Sequence, residues 1–262
     1  MLITELKQEY EERGYAILRN AIDPDLASEV EEHVHWLVKK YPNIRPEQLH
    51  HNLLVDDPFI HRLVGDTRLL NIVEEFIGHN IALFAAHYIA KPPFTGQAVL
   101  WHQDGTYWPL EPMEVISIWL AGTDSTNKNG CMRVIPGTQN KKLTLQEELQ
   151  EVNDGKNVLG SGIYSSQIDD TDAVDLELNA GDVSLHNPSI VHGSNPNTSG
   201  KWRIGLTIRY IPTCTFVKIE GHRSILLRGE TDPKVKNNFA DRPVFNPQIH
   251  MKFNGWEKWS LK

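Results

Sequence analysis

Two different spacings of apolar residues divide this chain. Over residues 1–80 the spacing is helical. Ile3 to Arg13 forms a short charged segment closed by Gly14, and the apolar run Tyr15-Ala16-Ile17-Leu18 after it predicts a first strand. Asp23-Pro24 supplies an N-cap and a proline at the first helical position, and Leu26, Val30, Val34, Leu37 and Val38 then recur along one helix face. Asp57-Pro58 repeats the start signal, and Leu69, Leu70, Val73, Phe76 and Ile77 mark another helix ended by Gly78. The segment between, Tyr41 to Asp56, is irregular, and its His50 and His51 have no recognisable partner.

From Ile81 the texture changes to strands and turns. Ile81 to Ile89 is apolar and aromatic, Lys91 to Gly96 is a breaker, and Val99 to His102 is extended. Glu114 to Ala121 is apolar on both faces, which predicts a strand covered on both sides. Turns follow at Thr126–Gly130 and Pro136-Gly137, and Leu143 to Val152 reads as a short helix or loop excursion. Leu176–Leu178 and Val183–His186 are placed to pair across Asn179-Ala180-Gly181-Asp182. Trp202 to Ile211 alternates most clearly: Trp202, Ile204, Leu206, Ile208 and Tyr210 share one face, Arg203, Gly205, Thr207 and Arg209 the other.

Helices first and many short strands later indicate a mainly β protein, a β-sandwich or jelly roll with helices packed outside it. The expected organisation is one domain over 1–262: a helical part at 1–80, a jelly-roll core at about 81–212 and an extension at 213–262. After Phe216 the pattern fades, and that tail reads mainly as packing and surface.

Composition narrows the function. The 262 residues are 40% hydrophobic and 23% charged, as in ordinary globular proteins, with no evident repeat. A formal charge of −8 argues against a nucleic-acid partner, which calls for a basic stripe. Two cysteines, Cys131 and Cys214, make no disulfide framework and fit a reducing compartment. Neither a signal-like apolar run nor a stretch of about 20 apolar residues is present, so the expected location is the cytoplasm, without a membrane. The terminal Ser260-Leu261-Lys262 is not the Ser-Lys-Leu peroxisomal address.

Candidate chemistry centres on Trp101-His102-Gln103-Asp104. Side chains two apart on an extended segment project to the same side, so His102 and Asp104 can offer two metal ligands from one strand. Of 12 histidines, His102 alone is followed two residues later by an aspartate, although one such pair also arises readily by chance. His192 would complete two imidazoles and a carboxylate on one face of a metal, the set that leaves positions open in non-haem Fe(II) oxygenases. Arg203, at the head of the next strand, suits either a structural ion pair or a bidentate grip on a carboxylate, with Gly205 leaving room beside it. Ser194 shares a face with His192 and can donate to the same carboxylate or to backbone.

These residues belong to a longer ordered set. Lys91-Pro92-Pro93, His102-Gln103-Asp104, Tyr107, Pro109, Pro112, Trp119, Asn129-Gly130-Cys131, Pro136-Gly137-Thr138, His192-Gly193-Ser194, Asn197, Arg203 and Arg209-Tyr210 occur in this order. Over residues 10–212 the set closely resembles the phytanoyl-CoA dioxygenase family of Fe(II)- and 2-oxoglutarate-dependent oxygenases. The resemblance implies a double-stranded β-helix, the cupin-like form of the jelly roll. It implies His102, Asp104 and His192 as the iron ligands and catalytic centre, and Arg203 as the residue holding the far carboxylate of 2-oxoglutarate. Ser194 and Trp119 match positions that line the cosubstrate pocket.

The implied reaction consumes 2-oxoglutarate and O2, releases succinate and CO2, and oxidises a C–H bond of a small organic substrate. Halogenating relatives carry a small residue in place of the carboxylate, so Asp104 disfavours halogenation and points to hydroxylation or another oxidation of the C–H bond. Tyr107 and Trp108 could wall the substrate pocket, and His87 could supply a polar contact there. The substrate itself does not follow. A coenzyme A thioester would want cations for its phosphates, and the sequence offers only scattered ones such as Lys91, Lys141 and Lys142.

Two other functions use the same residues. A jelly-roll hydrolase could hold Zn²⁺ on the three ligands and activate water. Arg203 has no task in that chemistry, and no His-Glu-x-x-His helix is present. A non-catalytic ligand-binding jelly roll would not need all three ligands intact.

Overall fold

The computed structural model describes residues 3–152 and 155–260, and in it the two spacings become two layers. Helix α1 (Ile3–Arg13) stops at Gly14, whose φ of +80° few side chains tolerate and whose N–H bonds Tyr10 O at 2.9 Å. Helix α2 (Pro24–Lys40) begins where expected, but Asp23 makes no side-chain cap bond; its carboxylate pairs with Arg68 instead. The segment expected to be irregular contains a short helix α3 (His51–Leu54).

The single helix expected after Asp57-Pro58 is two, α4 (Pro58–Val64) and α5 (Thr67–Ile77). The break falls at Gly65-Asp66, where the Asp66 carboxylate accepts from Arg68 N at 3.0 Å and starts a new helix. Asp57 caps α4 by accepting from Phe59 N at 2.8 Å, and its other oxygen faces His33 Nε2 at 3.3 Å. His33 Nδ1 in turn lies 3.0 Å from Tyr88 Oη, which ties both helices to the sheet.

Eleven strands build two sheets: β1 (Tyr15–Leu18), β2 (Ile81–Tyr88), β3 (Val99–His102), β4 (Ile116–Ala121), β5 (Met132–Ile135), β6 (Val174–Leu176), β7 (Val183–His186), β8 (Val191–Ser194), β9 (Gly205–Pro212), β10 (Arg223–Arg228) and β11 (Asn238–Phe239). The large sheet runs β1-β7-β4-β9-β2-β10-β11 and the small one β3-β8-β5-β6, the two walls of a double-stranded β-helix. Residues 143–152 hold a 3₁₀ turn at Gln146–Glu148 and the two-residue strand Gln150–Glu151.

One expected pairing is wrong. Leu176–Leu178 does not pair with Val183–His186: Leu176 ends β6, which pairs with β5 in the small sheet, Leu178 bridges to Ser125, and β7 lies between β1 and β4 in the large sheet. The turn at Asn179–Asp182 crosses between sheets, with Asp182 Oδ2 accepting from Asn179 N at 2.8 Å. Composition reads a turn but not which sheet receives the strand after it.

The alternation in β9 holds. Leu206, Ile208 and Tyr210 pack with Val30, Val34 and Leu37 of α2 and Leu69 and Val73 of α5, all buried, and each such side chain contributes about 1.5–3 kcal/mol. The other face of β9 looks into the barrel. The tail packs as expected, with Phe245 and Phe253 in the helix-side core, and also adds a strand, β10, that pairs with β2. Among the described residues no helix is long and apolar enough to cross a membrane.

Candidate metal centre

His102 ends β3, Gln103 is extended at φ −117° and ψ 122°, and Asp104 opens a 3₁₀ turn. Both side chains therefore emerge on one side. The antiparallel register of β3 and β8 sets His192 directly opposite His102, with their rings 4.1 Å apart. His102, Asp104 and His192 are all buried, and each offers a ligand atom within 4.8 Å of the others, so the three could hold a metal ion.

The rings are fixed from behind. His102 Nδ1 donates to Leu100 O at 2.7 Å, and His192 Nδ1 to Ile190 O at 3.1 Å. With Nδ1 as donor, each neutral ring presents its Nε2 lone pair to the centre. His102 Nε2 then faces Asp104 Oδ1 at 3.4 Å, two acceptors across a gap that a cation would satisfy. Asp104 Oδ2 is buried without a hydrogen-bond partner among the described residues.

Electrostatics keep Asp104 and His192 in their ligating forms. Burial pushes the Asp104 carboxyl up, but the Arg209 charge and contacts from His102 and His186 outweigh it and hold the group well below the usual carboxylate range. Burial and the neighbouring His102 hold His192 well below the ordinary imidazole value, hence neutral.

A cavity opens from these ligands and is also walled by Trp119, Ser194, Arg203 and Arg209. Arg203 is 1% exposed and donates from its two terminal nitrogens to Gly130 O at 3.0 Å and Ile89 O at 2.8 Å. Its Nε has no partner among the described residues, and burial lowers its pKa to about 10. Trp119 lies against its guanidinium at 5.2 Å. The space beside Gly205 is not left open for a bound molecule: the Trp119 indole fills it. Ser194 Oγ accepts from Lys91 Nζ at 2.7 Å, which frees the Ser194 O–H to donate.

Tyr107, Trp108 and His87 are not on the cavity wall. The Tyr107 ring is 6.1 Å from His102 and its hydroxyl 3.3 Å from Ser161 O, Trp108 stacks on Arg209 at 4.9 Å, and His87 donates to Glu47 O at 2.9 Å. Lys91, considered for coenzyme A phosphates, is fully buried and cannot meet them, whereas Lys141 and Lys142 are exposed.

Two titratable cavity residues lie outside the site set expected from the sequence. His186 ends β7 with Nε2 3.5 Å from Asp104 Oδ2, and Arg209 Nε is 3.8 Å from the same oxygen. His186 alternates with Val183 and Leu185 on its strand, a signal too short to separate a site residue from a strand end.

Fold and site together define a double-stranded β-helix with a His-Asp-His cluster inside the barrel and an inward arginine beyond it. The chain belongs to the phytanoyl-CoA dioxygenase family: the family model for Phytanoyl-CoA dioxygenase (PhyH) matches residues 8–205. A probable phytanoyl-CoA dioxygenase of Caenorhabditis elegans is 29% identical over 175 residues, which cover 63% of this chain and 55% of that one. Several solved structures share the fold. The non-heme monooxygenase ThoJ, in its apo form, superposes with a TM-score of 0.76 at 21% identity, over 93% of this chain and 91% of its own. The epimerase SnoN, in complex with Fe3+, alpha ketoglutarate and nogalamycin RO, does so at 0.68 and 16%, over 93% and 96%. The chain spans about half the length of the curated relatives it matches.

Proposed function

We propose that this chain is an Fe(II)- and 2-oxoglutarate-dependent dioxygenase that hydroxylates a C–H bond of a small organic substrate. His102, Asp104 and His192 hold the metal, and Arg203 holds the far carboxylate of 2-oxoglutarate. The observation that carries the reading is the convergence of the three ligands on one cavity that also holds a buried arginine. Bound iron supplies activation of O2 coupled to decarboxylation of 2-oxoglutarate to succinate and CO2.

The chain's own residues bind, orient and exclude water. The bonds of His102 and His192 to Leu100 O and Ile190 O set the ring planes before any metal arrives. Asp104 supplies the one negative charge of the ligand set. The carbonyls of Gly130 and Ile89 aim the Arg203 guanidinium, the Trp119 indole dries one side of it, and Ser194 donates to the same carboxylate. Ile89, Val99 and Met132 line the remaining wall and keep water out.

Hydroxylation is favoured over halogenation because Asp104 fills the position that a halide would need. A hydrolase reading leaves the buried Arg203 without a task, and a non-catalytic reading leaves the converged ligands without one; neither is favoured. Free Cys131 and Cys214 fit a reducing compartment such as the cytoplasm. The test is O2 uptake and succinate release on addition of Fe(II), 2-oxoglutarate and candidate substrates. Turnover should need both additions and vanish in Asp104→Ala. Metal-dependent hydrolysis without 2-oxoglutarate would overturn the reading.

A further inference from the structure

Arg209 is left without a counter-ion once the proposed cofactors are counted. The carboxylate beside it is Asp104, at 3.8 Å. On the oxygenase reading, on which this inference rests, Asp104 and the chelating carboxylate of 2-oxoglutarate together balance a divalent metal. The far carboxylate balances Arg203. Arg209 then stands in the same cavity with one positive charge unmatched.

Among the described residues its other surroundings offer no anion. The Trp108 ring lies at 4.9 Å, and Arg209 Nε is buried without a hydrogen-bond partner among the described residues. The titratable neighbours on adjoining elements are imidazoles, His51 on α3 and His87 on β2, and the charge of Arg209 helps to keep both from protonating. His186, on β7, also faces Asp104, and neither ring nitrogen has a hydrogen-bond partner among the described residues. Thr207, on the same face of β9, adds a buried hydroxyl to the wall.

A guanidinium against an aromatic ring, with Nε unspent and neutral imidazoles near it, is built to take an oxyanion. We propose that Arg209 receives an anionic head group of the substrate, a carboxylate, phosphonate or sulfonate, so that the substrate class is a small organic anion. Such a group would sit within reach of the metal ligands, because Arg209 touches Asp104, and would place a nearby C–H bond at the reacting centre.

The test uses protein loaded anaerobically with Fe(II) and saturated with 2-oxoglutarate. It is titrated by calorimetry with hexanoate, hexylphosphonate, hexanesulfonate and 1-hexanol. At least one anion binds tenfold or more tighter than hexanol, and which one it is names the head group. Arg209→Gln removes the preference and Arg209→Lys retains part of it. The wild-type comparison stands even if neither variant folds. Hexanol binding as tightly as the anions, no binding by any of the four, or a preference that survives in Arg209→Gln would overturn the proposal. The visible band of the 2-oxoglutarate chelate is read in the same samples. If it never forms, the oxygenase reading fails and with it the charge count on which Arg209 is unmatched, whereas a chelate that forms without any anion preference overturns this proposal alone.

Discussion

Gly205 lies directly beneath the indole of Trp119: a Cβ at Gly205 would come within 2.0 Å of Trp119 Cζ2 and 2.4 Å of Cε2. The indole in turn braces the Arg203 guanidinium, so the absence of one side chain on β9 positions the arginine. Gly205→Ala should displace Trp119, cost about 1–3 kcal/mol of stability from overpacking, and weaken 2-oxoglutarate binding at least about tenfold. Urea unfolding and a 2-oxoglutarate titration check the two effects separately. An alanine variant with wild-type affinity would mean that Trp119 does not position Arg203.

Arg203 carries the cosubstrate claim. Arg203→Ala should weaken 2-oxoglutarate binding by about 2–5 kcal/mol, the usual cost of removing one partner of a buried charge pair. Arg203→Lys should fall between, because one ammonium cannot reach both Gly130 O and Ile89 O in the same geometry. An unchanged binding isotherm in the alanine variant would exclude the role.

The helical layer depends on Asp57, which caps α4 and faces His33. Asp57→Ala removes the cap and strips His33 of a partner, and should cost roughly 2–4 kcal/mol in urea unfolding. Asp57→Asn keeps an acceptor for the cap and should lose less than half as much. Equal losses would mean that charge, not capping, is what Asp57 contributes.

Acid should unfold the protein early. Burial lowers His51 to about 4 and, together with the charge of Arg209, His87 to about 3, from 6.5 in the unfolded chain. Below pH 6.5 the unfolded chain takes up protons that the folded chain refuses. The stability these rings give at neutral pH is therefore lost as pH falls from 6.5 toward 4, about 2 kcal/mol from each by pH 5. Urea midpoints at pH 7.5 and pH 5 measure the drop, and His51→Gln should flatten it. A midpoint independent of pH across that window would contradict the burial of these two rings as neutral groups.

Much of the site could be read from the sequence because its signals are local or repeated. His102 and Asp104 are two apart on extended chain, and the alternation from Trp202 to Ile211 places Arg203 inside the barrel. The partnership of His102 with His192 rests on the β3–β8 register, which short strands do not encode by themselves; only the ordered motif set supplied it. Burial of Lys91 and the approach of His186 to Asp104 come from how the two sheets close on each other. The break at Gly65-Asp66 was legible in type, as glycine followed by a capping aspartate, but a continuous apolar stripe hid it. The pairing expected for Leu176–Leu178 failed for the opposite reason: a good turn signal says nothing about a crossover.

The most direct test of the account is an anaerobic titration of the metal-free protein with Fe(II) and then 2-oxoglutarate, followed by visible absorption and, once air is admitted, by succinate release. The account predicts a weak charge-transfer band that saturates at one 2-oxoglutarate per chain, is absent in Asp104→Ala and is weakened in Arg203→Ala, with succinate formed only in air. Metal binding without any spectral or turnover response to 2-oxoglutarate would contradict it.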